Sequence, residues 1–281
     1  MAYRLKPGSR LTGILYALIA LGVLFSTVCL PGSTARAAAL PSLTVAVTKS
    51  SVSIAGSLQA GAVNVATSGS GVKEANVTFV RLNPGVSASQ LIAFANSKAS
   101  REPNDASAFG TIVLVTEPGS EVQTTLQPGQ YVAVAEAEEK PSANAVFAVA
   151  ASNSPAVLPP PQTTIRSIDF GFRGPATLHQ GELVRFENAG FVVHMNIAFP
   201  VRSRRAARQL ARALRTDNKR LEGRLIAGPP VSLQGPVAHG VYQQETITAK
   251  PGWYVQACFM DTQDGREHTL LGMERVIRIL R

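Results

Sequence analysis

The sequence predicts an all-β protein built from two tandem Greek-key β-sandwiches, each with a helical insertion. Short runs rich in Val, Ile, Phe and Thr recur along the chain, and turn residues separate them at the spacing expected of antiparallel sandwiches. The two halves of the chain also match each other in pattern, which indicates an internal duplication. One segment with helical periodicity interrupts the strands of each half.

The predicted strands form two sets, and Pro128-Gly129 and Pro251-Gly252 are turn dipeptides that each start a strand. In the first half, strands are predicted at residues 43–47, 77–82, 111–116 and 131–135. In the second half, they are predicted at residues 183–187, 195–199, 245–248, 254–259 and 276–280.

The duplication is visible as two ungapped matches. Residues 61–79 align with residues 181–199, which places Phe79 on Phe199, and residues 126–132 align with residues 249–255. Each half therefore carries the same succession of strands, and we expect two copies of one sandwich.

Helical spacing is clearest at residues 203–222, where Ser203 is a candidate N-cap, and a shorter counterpart follows Ser87 or Ser89. Between Arg202 and Arg224 the chain has nine basic and two acidic residues, a local charge of +7. This basic helix predicts docking to an acidic redox partner protein or to an anionic envelope surface, unless it is only a solvated helix face. We expect no nucleic-acid partner, and the oligomeric state stays open.

The N-terminus has the pattern of a secretory signal peptide. Basic residues precede an apolar stretch over residues 11–30, and small residues follow with a cleavage site near Ala37–Ala39. Cys29 lacks the preceding residues that lipid attachment normally needs. We therefore expect an exported protein, periplasmic, secreted or associated with the cell envelope, although a retained membrane anchor is an alternative.

The predicted domain organisation follows from these segments. Residues 1–37 form the signal peptide and residues 38–150 the first sandwich. Residues 151–163 form a Pro-rich linker, and residues 164–281 form the second sandwich. After cleavage Cys258 would be the one remaining cysteine, which excludes an intrachain disulfide framework.

The second half contains four side chains that together make up the ligand set of one kind of metal site. His194 precedes Cys258, and His268 and Met273 follow it after gaps of nine and four residues. Two imidazoles, one thiolate and one thioether are the ligands of a blue-copper site. A thiolate favours Cu(I), imidazoles accept both oxidation states, and a thioether is a weak, long contact that tunes the potential.

Over residues 162–281 the chain resembles the cupredoxins, the small blue-copper proteins. The resemblance rests on the Asn-x-Gly segment at Asn188, on Pro251-Gly252 before Cys258, and on the order Cys, His, Met. It implies a cupredoxin-like sandwich with one copper ion in the C-terminal domain. It also implies ligand roles for the following residues: His194, Cys258 and His268 in the equatorial plane and Met273 in the axial position.

The first half lacks these ligands at the matched positions. The alignments place Cys258 on Ala135, His194 on Glu74 and Met273 on Ala143, with a loop seven residues shorter in the first half. We therefore expect no copper there. One-electron transfer by the second half is the predicted function. The alternatives are copper capture and delivery, or a metal-free interaction or structural protein of the cell envelope.

Zinc is the alternative metal, with Asp261, Asp264 or water completing a tetrahedral set. The four candidate ligands could saturate one copper ion, whereas a catalytic metal needs an open position. The sequence also has no Ser/His/Asp order, no paired carboxylates and no phosphate-binding loop. It therefore predicts that the protein is not an enzyme.

Overall fold

Strands dominate the structure, a computed structural model that describes residues 39–72, 75–99, 103–135 and 142–281. The predicted signal peptide, Cys29 and Glu74 lie outside the described residues. Within the described ranges the chain has seventeen strands and three α-helices. None of these helices has the length and apolar character needed to cross a membrane. The predicted all-β class is confirmed.

The strands of the first half are divided between two sheets, as in a sandwich. They are β1 (Ser42–Val47), β2 (Val52–Gly56), β3 (Gly61–Gly69), β4 (Val77–Leu82), β5 (Gly110–Thr116), β6 (Glu121–Leu126), β7 (Gly129–Ala135) and β8 (Asn144–Val149). The four strands predicted here correspond to β1, β4, β5 and β7.

The second half continues with β9 to β17. They are β9 (Thr163–Ile168), β10 (Gly171–Arg173), β11 (Thr177–His179), β12 (Leu183–Asn188), β13 (His194–Val201), β14 (Val231–Val237), β15 (Tyr242–Thr246), β16 (Gly252–Ala257) and β17 (Glu274–Leu280). Strand β14 was not predicted, because Gly235 and Pro236 interrupt its pattern.

Each half has a helical insertion, as predicted. Helix α1 (Ala88–Ala95) begins after Ser87, whose side chain accepts a hydrogen bond from the backbone of Gln90, so Ser87 rather than Ser89 is the N-cap. The prediction of a single helix at residues 203–222 is wrong, although the segment is helical. It forms two helices, α2 (Arg204–Arg215) and α3 (Lys219–Leu225), because Asp217 adopts a positive φ of 51° between them.

The two halves share one large sheet. Its strand order is β10-β9-β12-β15-β6-β3-β1-β2, and β15 of the second half pairs with β6 of the first. The four-stranded sheet β5-β4-β7-β8 packs on its first-half strands, and the five-stranded sheet β11-β17-β16-β13-β14 on its second-half strands. Apolar side chains that alternate along these strands fill both interiors.

Equivalent tyrosines show that both sandwiches follow one plan. The hydroxyl of Tyr131 donates a hydrogen bond to the carbonyl of Gln127 at 2.8 Å, and that of Tyr254 donates to the carbonyl of Lys250 at 2.8 Å. Both tyrosines are the fourth residue of the Pro-Gly-x-Tyr segment that the sequence alignment matched. The repeated turn thus fixes the entry into β7 and β16 in the same way.

Candidate metal centre

Three buried side chains meet at one end of the second sandwich. His194, Cys258 and His268 have no exposed surface, and one ligand atom of each lies within 4.8 Å of the other two. The Sγ atom of Cys258 lies 3.8 Å from Nδ1 of His194 and 3.3 Å from Nδ1 of His268. Both imidazoles therefore present the same ring nitrogen to one sulfur atom.

Sheet pairing brings the first two of these residues together. Strands β13 and β16 are antiparallel neighbours, with Ile197 opposite Ala257. His194 is the first residue of β13 and Cys258 follows the last residue of β16, so both lie at the same end of the sheet. The backbone amide of Met195 also donates a hydrogen bond to Sγ of Cys258 at 3.4 Å, which favours the thiolate form.

The loop before β17 supplies the third residue. His268 begins a short 3-10 helix, and its amide donates to the carbonyl of Met260 at 2.9 Å. The amide of Met273 donates to the carbonyl of His268 at 2.9 Å, and the amide of Cys258 donates to the carbonyl of Met273 at 3.2 Å. These hydrogen bonds hold the loop directly against the end of β16.

Met273 lies at the cluster without any exposed surface. It shares an apolar cluster with Val193, Cys258 and Met260, and this cluster also includes first-half residues such as Ile112. The predicted axial role of Met273 stays a prediction. Met260 belongs to the same apolar cluster, whereas Phe259 packs on Phe199 in a different cluster.

The Asn-x-Gly segment closes the loop that leads to His194. The side chain of Asn188 donates hydrogen bonds of 2.8 Å to the carbonyls of Val192 and Val237 and accepts one of 3.0 Å from the amide of Gly190. Asn188 is fully buried. It therefore fixes the backbone on both sides of the turn and sets the direction in which His194 enters β13.

Burial keeps both imidazoles neutral. It lowers the pKa of His194, although the hydrogen bond to Asp169 acts in the opposite direction. Burial, together with the positive charge that His194 carries when it is protonated, lowers the pKa of His268 to about 4. A neutral imidazole has the lone pair that a metal requires, so the two histidines are ready to act as ligands near neutral pH.

Sequence reasoning missed Asp169, which lies in the turn between β9 and β10. Its Oδ1 atom lies 3.1 Å from Nε2 of His194. Asp169 precedes His194 by 25 residues and belongs to no motif, so only the folded chain shows the contact. His239 is exposed and stacks on the exposed ring of Phe191.

Asp261 and Asp264, the alternative ligands predicted for zinc, do not belong to the three-residue cluster, which is the only group of three or more potential metal ligands among the described residues. Asp264 is exposed and accepts hydrogen bonds from Thr262 and Arg266. The backbone of Asp261 forms an antiparallel β-bridge with that of Glu267 across the loop. In the first half, Ala135 and Ala143 are buried in the apolar core at positions matched to Cys258 and Met273.

The donor set fits copper. Two neutral imidazole nitrogens and the buried sulfur of Cys258 converge, and the amide of Met195 donates to that sulfur. Soft sulfur combined with imidazole is the ligand chemistry that copper prefers, and a mostly apolar shell excludes water. His194, Cys258 and His268 are therefore the residues that would hold the ion.

No protein-family model and no curated protein matches this chain. Among solved structures, auracyanin A, a blue copper protein from Chloroflexus aurantiacus, is similar at 18% identity and a TM-score of 0.25, over 41% of this chain and 95% of auracyanin A. A multicopper oxidase is similar at 10% identity and a TM-score of 0.24, over 85% of this chain and 88% of the oxidase. A copper-containing nitrite reductase from Thermus scotoductus SA-01 is similar at 13% identity and a TM-score of 0.25, over 85% of this chain and 68% of the reductase.

The expectation that the protein is not an enzyme is corrected by these similarities. An oxidase and a reductase are among the structures to which the chain is similar, beside a blue copper protein. Saturation of the metal by four ligands was the physical reason for the expectation. That reason concerns one metal centre only and does not exclude catalysis by the chain as a whole.

The position of the cluster agrees with the resemblance seen in the sequence. One histidine stands on the earlier strand β13, and the cysteine and second histidine lie between β16 and the last strand, β17. The chain forms β-sandwiches in both halves, as predicted, and the cluster belongs to the second one. The protein thus has a cupredoxin-like, all-β fold with a buried His-Cys-His cluster at one end of its second sandwich.

Proposed function

We propose that this protein binds one copper ion in its second sandwich and uses it for one-electron transfer. The convergence of two Nδ1 atoms on the buried Sγ atom of Cys258 carries the proposal. His194, Cys258 and His268 would hold the ion, and Met273 would be the weak axial ligand. When bound, the ion would supply a Cu(II)/Cu(I) couple that accepts and returns a single electron.

The protein's own contribution would be rigidity and exclusion of water. Hydrogen bonds from buried Asn188 fix the approach to His194, and backbone hydrogen bonds fix the positions of His268 and Met273. Ligands held in this way change position little when the charge of the site changes. Little reorganisation favours fast electron exchange.

Titration of the purified full-length chain with Cu(II) tests this proposal. A strong thiolate-to-copper absorption band should develop with one equivalent of copper and be absent from Cys258→Ser. His179→Gln is the matched control, because the side chain of His179 on β11 is exposed and its replacement should leave the band unchanged. The absence of a band in folded wild-type protein would contradict the proposal. Protein isolated without metal, with a melting temperature insensitive to chelators, would support the metal-free alternative instead.

We also propose that the protein is exported after cleavage near Ala37–Ala39. The support is the sequence pattern of basic, apolar and small residues in the first 39 positions. Mass spectrometry of the protein recovered from the native host gives the mature N-terminus. An intact N-terminus in the cytoplasmic fraction would contradict export.

The basic helices α2 and α3 support docking of an acidic partner protein beside the cluster. Helix α2 packs on β17 and on the 3-10 helix that begins at His268. Besides Arg204, whose guanidinium lies over the ring of Trp253, five exposed arginines of these helices have no ion-pair partner among the described residues. They are Arg205, Arg208, Arg212, Arg220 and Arg224. Guanidinium groups are suited to carboxylates, which they can bind through two hydrogen bonds.

Small redox probes test this surface without a known partner. Reduction of the copper-loaded protein by anionic ferrocyanide should slow with added salt, and less so in the triple variant Arg205→Gln, Arg208→Gln, Arg212→Gln. Arg81→Gln, in the first half, is the control. Equal salt dependence in wild type and triple variant would contradict the docking proposal. Binding of the protein to anionic lipid vesicles, lost in the triple variant, would favour an envelope surface instead.

A further inference from the structure

The turn between β9 and β10 places one carboxylate against the metal cluster. Oδ1 of Asp169 lies 3.1 Å from Nε2 of His194, and the same oxygen accepts hydrogen bonds from the amides of Phe191 at 2.8 Å and Val192 at 3.4 Å. Asp169 thus ties the turn to the loop before β13. About a third of its side chain is exposed, and His194 is fully buried.

This contact decides which ring nitrogen of His194 carries the proton. A carboxylate oxygen can only accept a hydrogen bond, so Nε2 of His194 must be the donor. In the neutral ring, Nδ1 is then left with its lone pair, and Nδ1 is the atom that faces Sγ of Cys258 at 3.8 Å. The carboxylate therefore selects the tautomer that a metal at the cluster needs.

His268 has no equivalent partner. Its Nε2 atom is buried and accepts or donates no hydrogen bond within the described part of the chain. The ring of Phe170, the residue after Asp169, packs edge-to-face against it with centroids 5.2 Å apart. Phe170 keeps this position at a φ of 62°, which is uncommon for a bulky residue and costs on the order of 1 kcal/mol. The same turn thus places a carboxylate against His194 and an aromatic ring against His268.

The opposing loop is shaped to allow the contact. A Cβ atom added to Gly190 would lie 2.6 Å from Nε2 of His194 and closer still to Oδ1 of Asp169. Only glycine leaves room for the carboxylate and the imidazole to meet at this point.

We propose that Asp169 is a positioning residue that holds His194 in the form protonated at Nε2 and that, through its negative charge, lowers the reduction potential of the metal ion. The negative charge makes the imidazole a stronger donor, which stabilises the oxidised ion. The first part concerns the protein without metal. The second part rests on the proposed copper site.

The metal-free full-length protein tests the first part. Nitrogen-15 NMR of the four histidine side chains, with His194 identified by loss of its signals in His194→Gln, reports which ring nitrogen is protonated. Wild type should show protonation at Nε2. Asp169→Asn should retain it, because the amide oxygen can accept the same three hydrogen bonds with its NH₂ group toward solvent. Asp169→Ala should lose the single tautomer. Protonation of wild-type His194 at Nδ1, or an unchanged single tautomer in Asp169→Ala, would overturn the positioning role.

Potentiometry of the copper-loaded protein tests the second part. Asp169→Asn should keep the absorption band and have a higher reduction potential than wild type. Glu121→Gln, a carboxylate of the first half paired with Asn64, should leave the potential unchanged. An unchanged or lower potential in Asp169→Asn would overturn the charge effect. Failure of wild type to bind copper would refute the proposed function and this charge effect, whereas the NMR result for Asp169 would stand.

Discussion

Nδ1 of His268 lies 3.3 Å from Sγ of Cys258 although nine residues separate them in the chain. The intervening loop folds back on itself. The backbones of Asp261 and Glu267 form an antiparallel β-bridge, and the amide of His268 donates to the carbonyl of Met260. Residues 262–266, between Asp261 and Glu267, form a small and mostly exposed hairpin. The long spacing therefore does not displace the second histidine from the cluster.

Met273→Leu tests the predicted axial ligand. We expect copper to remain bound and the reduction potential to rise, because a thioether is a weak contact that tunes the potential rather than holding the ion. Stability should change by less than about 1.5 kcal/mol, since the two side chains have similar volumes. Met260→Leu is the matched control, a buried methionine of the same apolar cluster that should leave the potential unchanged. Equal potentials in the two variants would contradict the axial role.

Gly190→Ala should disturb the contact between Asp169 and His194 from the opposite side. The new methyl group would lie 2.6 Å from Nε2 of His194, so the loop must move. We expect a loss of about 1–3 kcal/mol in the free energy of unfolding and weaker copper binding, measured by urea denaturation and by competition with a chelator. Gly223→Ala, in open space on α3, should lack both effects. Wild-type copper affinity in Gly190→Ala would show that the close approach is not required.

Arg215→Met should weaken the connection between α2 and the start of β17. Nε of Arg215 donates to the buried carboxylate of Glu274 at 2.9 Å, and Glu274 directly follows Met273. Loss of the arginine leaves that carboxylate without its charged partner, which should cost about 1–3 kcal/mol in urea denaturation. Arg212→Met, an exposed arginine of the same helix, should change stability by less than about 0.5 kcal/mol. Equal effects of the two substitutions would argue against a structural role for the ion pair.

Glu245→Gln should flatten the dependence of stability on pH. Burial, together with the charge of Glu117, raises the pKa of Glu245 from 4.5 to about 8. Between these values only the unfolded chain loses the proton, so the wild-type free energy of unfolding should fall as the pH rises, by at most about 1.4 kcal/mol per pH unit from this group. Below pH 4.5 and above pH 8 its contribution should be constant.

Urea denaturation at several values between pH 5 and pH 9 measures this effect. Glu245→Gln should lose less stability than wild type over the interval. Glu121→Gln provides the comparison, because it removes a carboxylate from the neighbouring strand β6. If the slopes of wild type and Glu245→Gln coincide, the carboxyl of Glu245 is not protonated near neutral pH.

Strand prediction succeeded where a strand has a continuous apolar or alternating pattern. The nine predicted strands all have counterparts, and the matched Pro-Gly-x-Tyr turns adopt the same hydrogen bond in both halves. Eight of the seventeen strands in the described residues were not predicted, and in β14 the reason is that local signals conflict with tertiary pairing. Strand β14 contains Gly235 and Pro236, which disfavour a strand, and yet it pairs with β13 with two shifts in register. Asp217, with a positive φ of 51°, separates α2 from α3, and the side chain of the next residue, Asn218, caps α3.

The sequence by itself determined the all-β class, the repeated plan and the residue types of a copper site, because periodicity, turn chemistry and ligand chemistry are all local properties of the chain. The tertiary structure alone decided that the two halves share one sheet through β6 and β15, and that first-half residues such as Ile112 join the apolar cluster around Cys258. It also decided which side chain contacts His194. Asp169 and His194 meet only because β9 pairs with β12 in parallel, a contact between distant segments that leaves no periodic trace in the sequence.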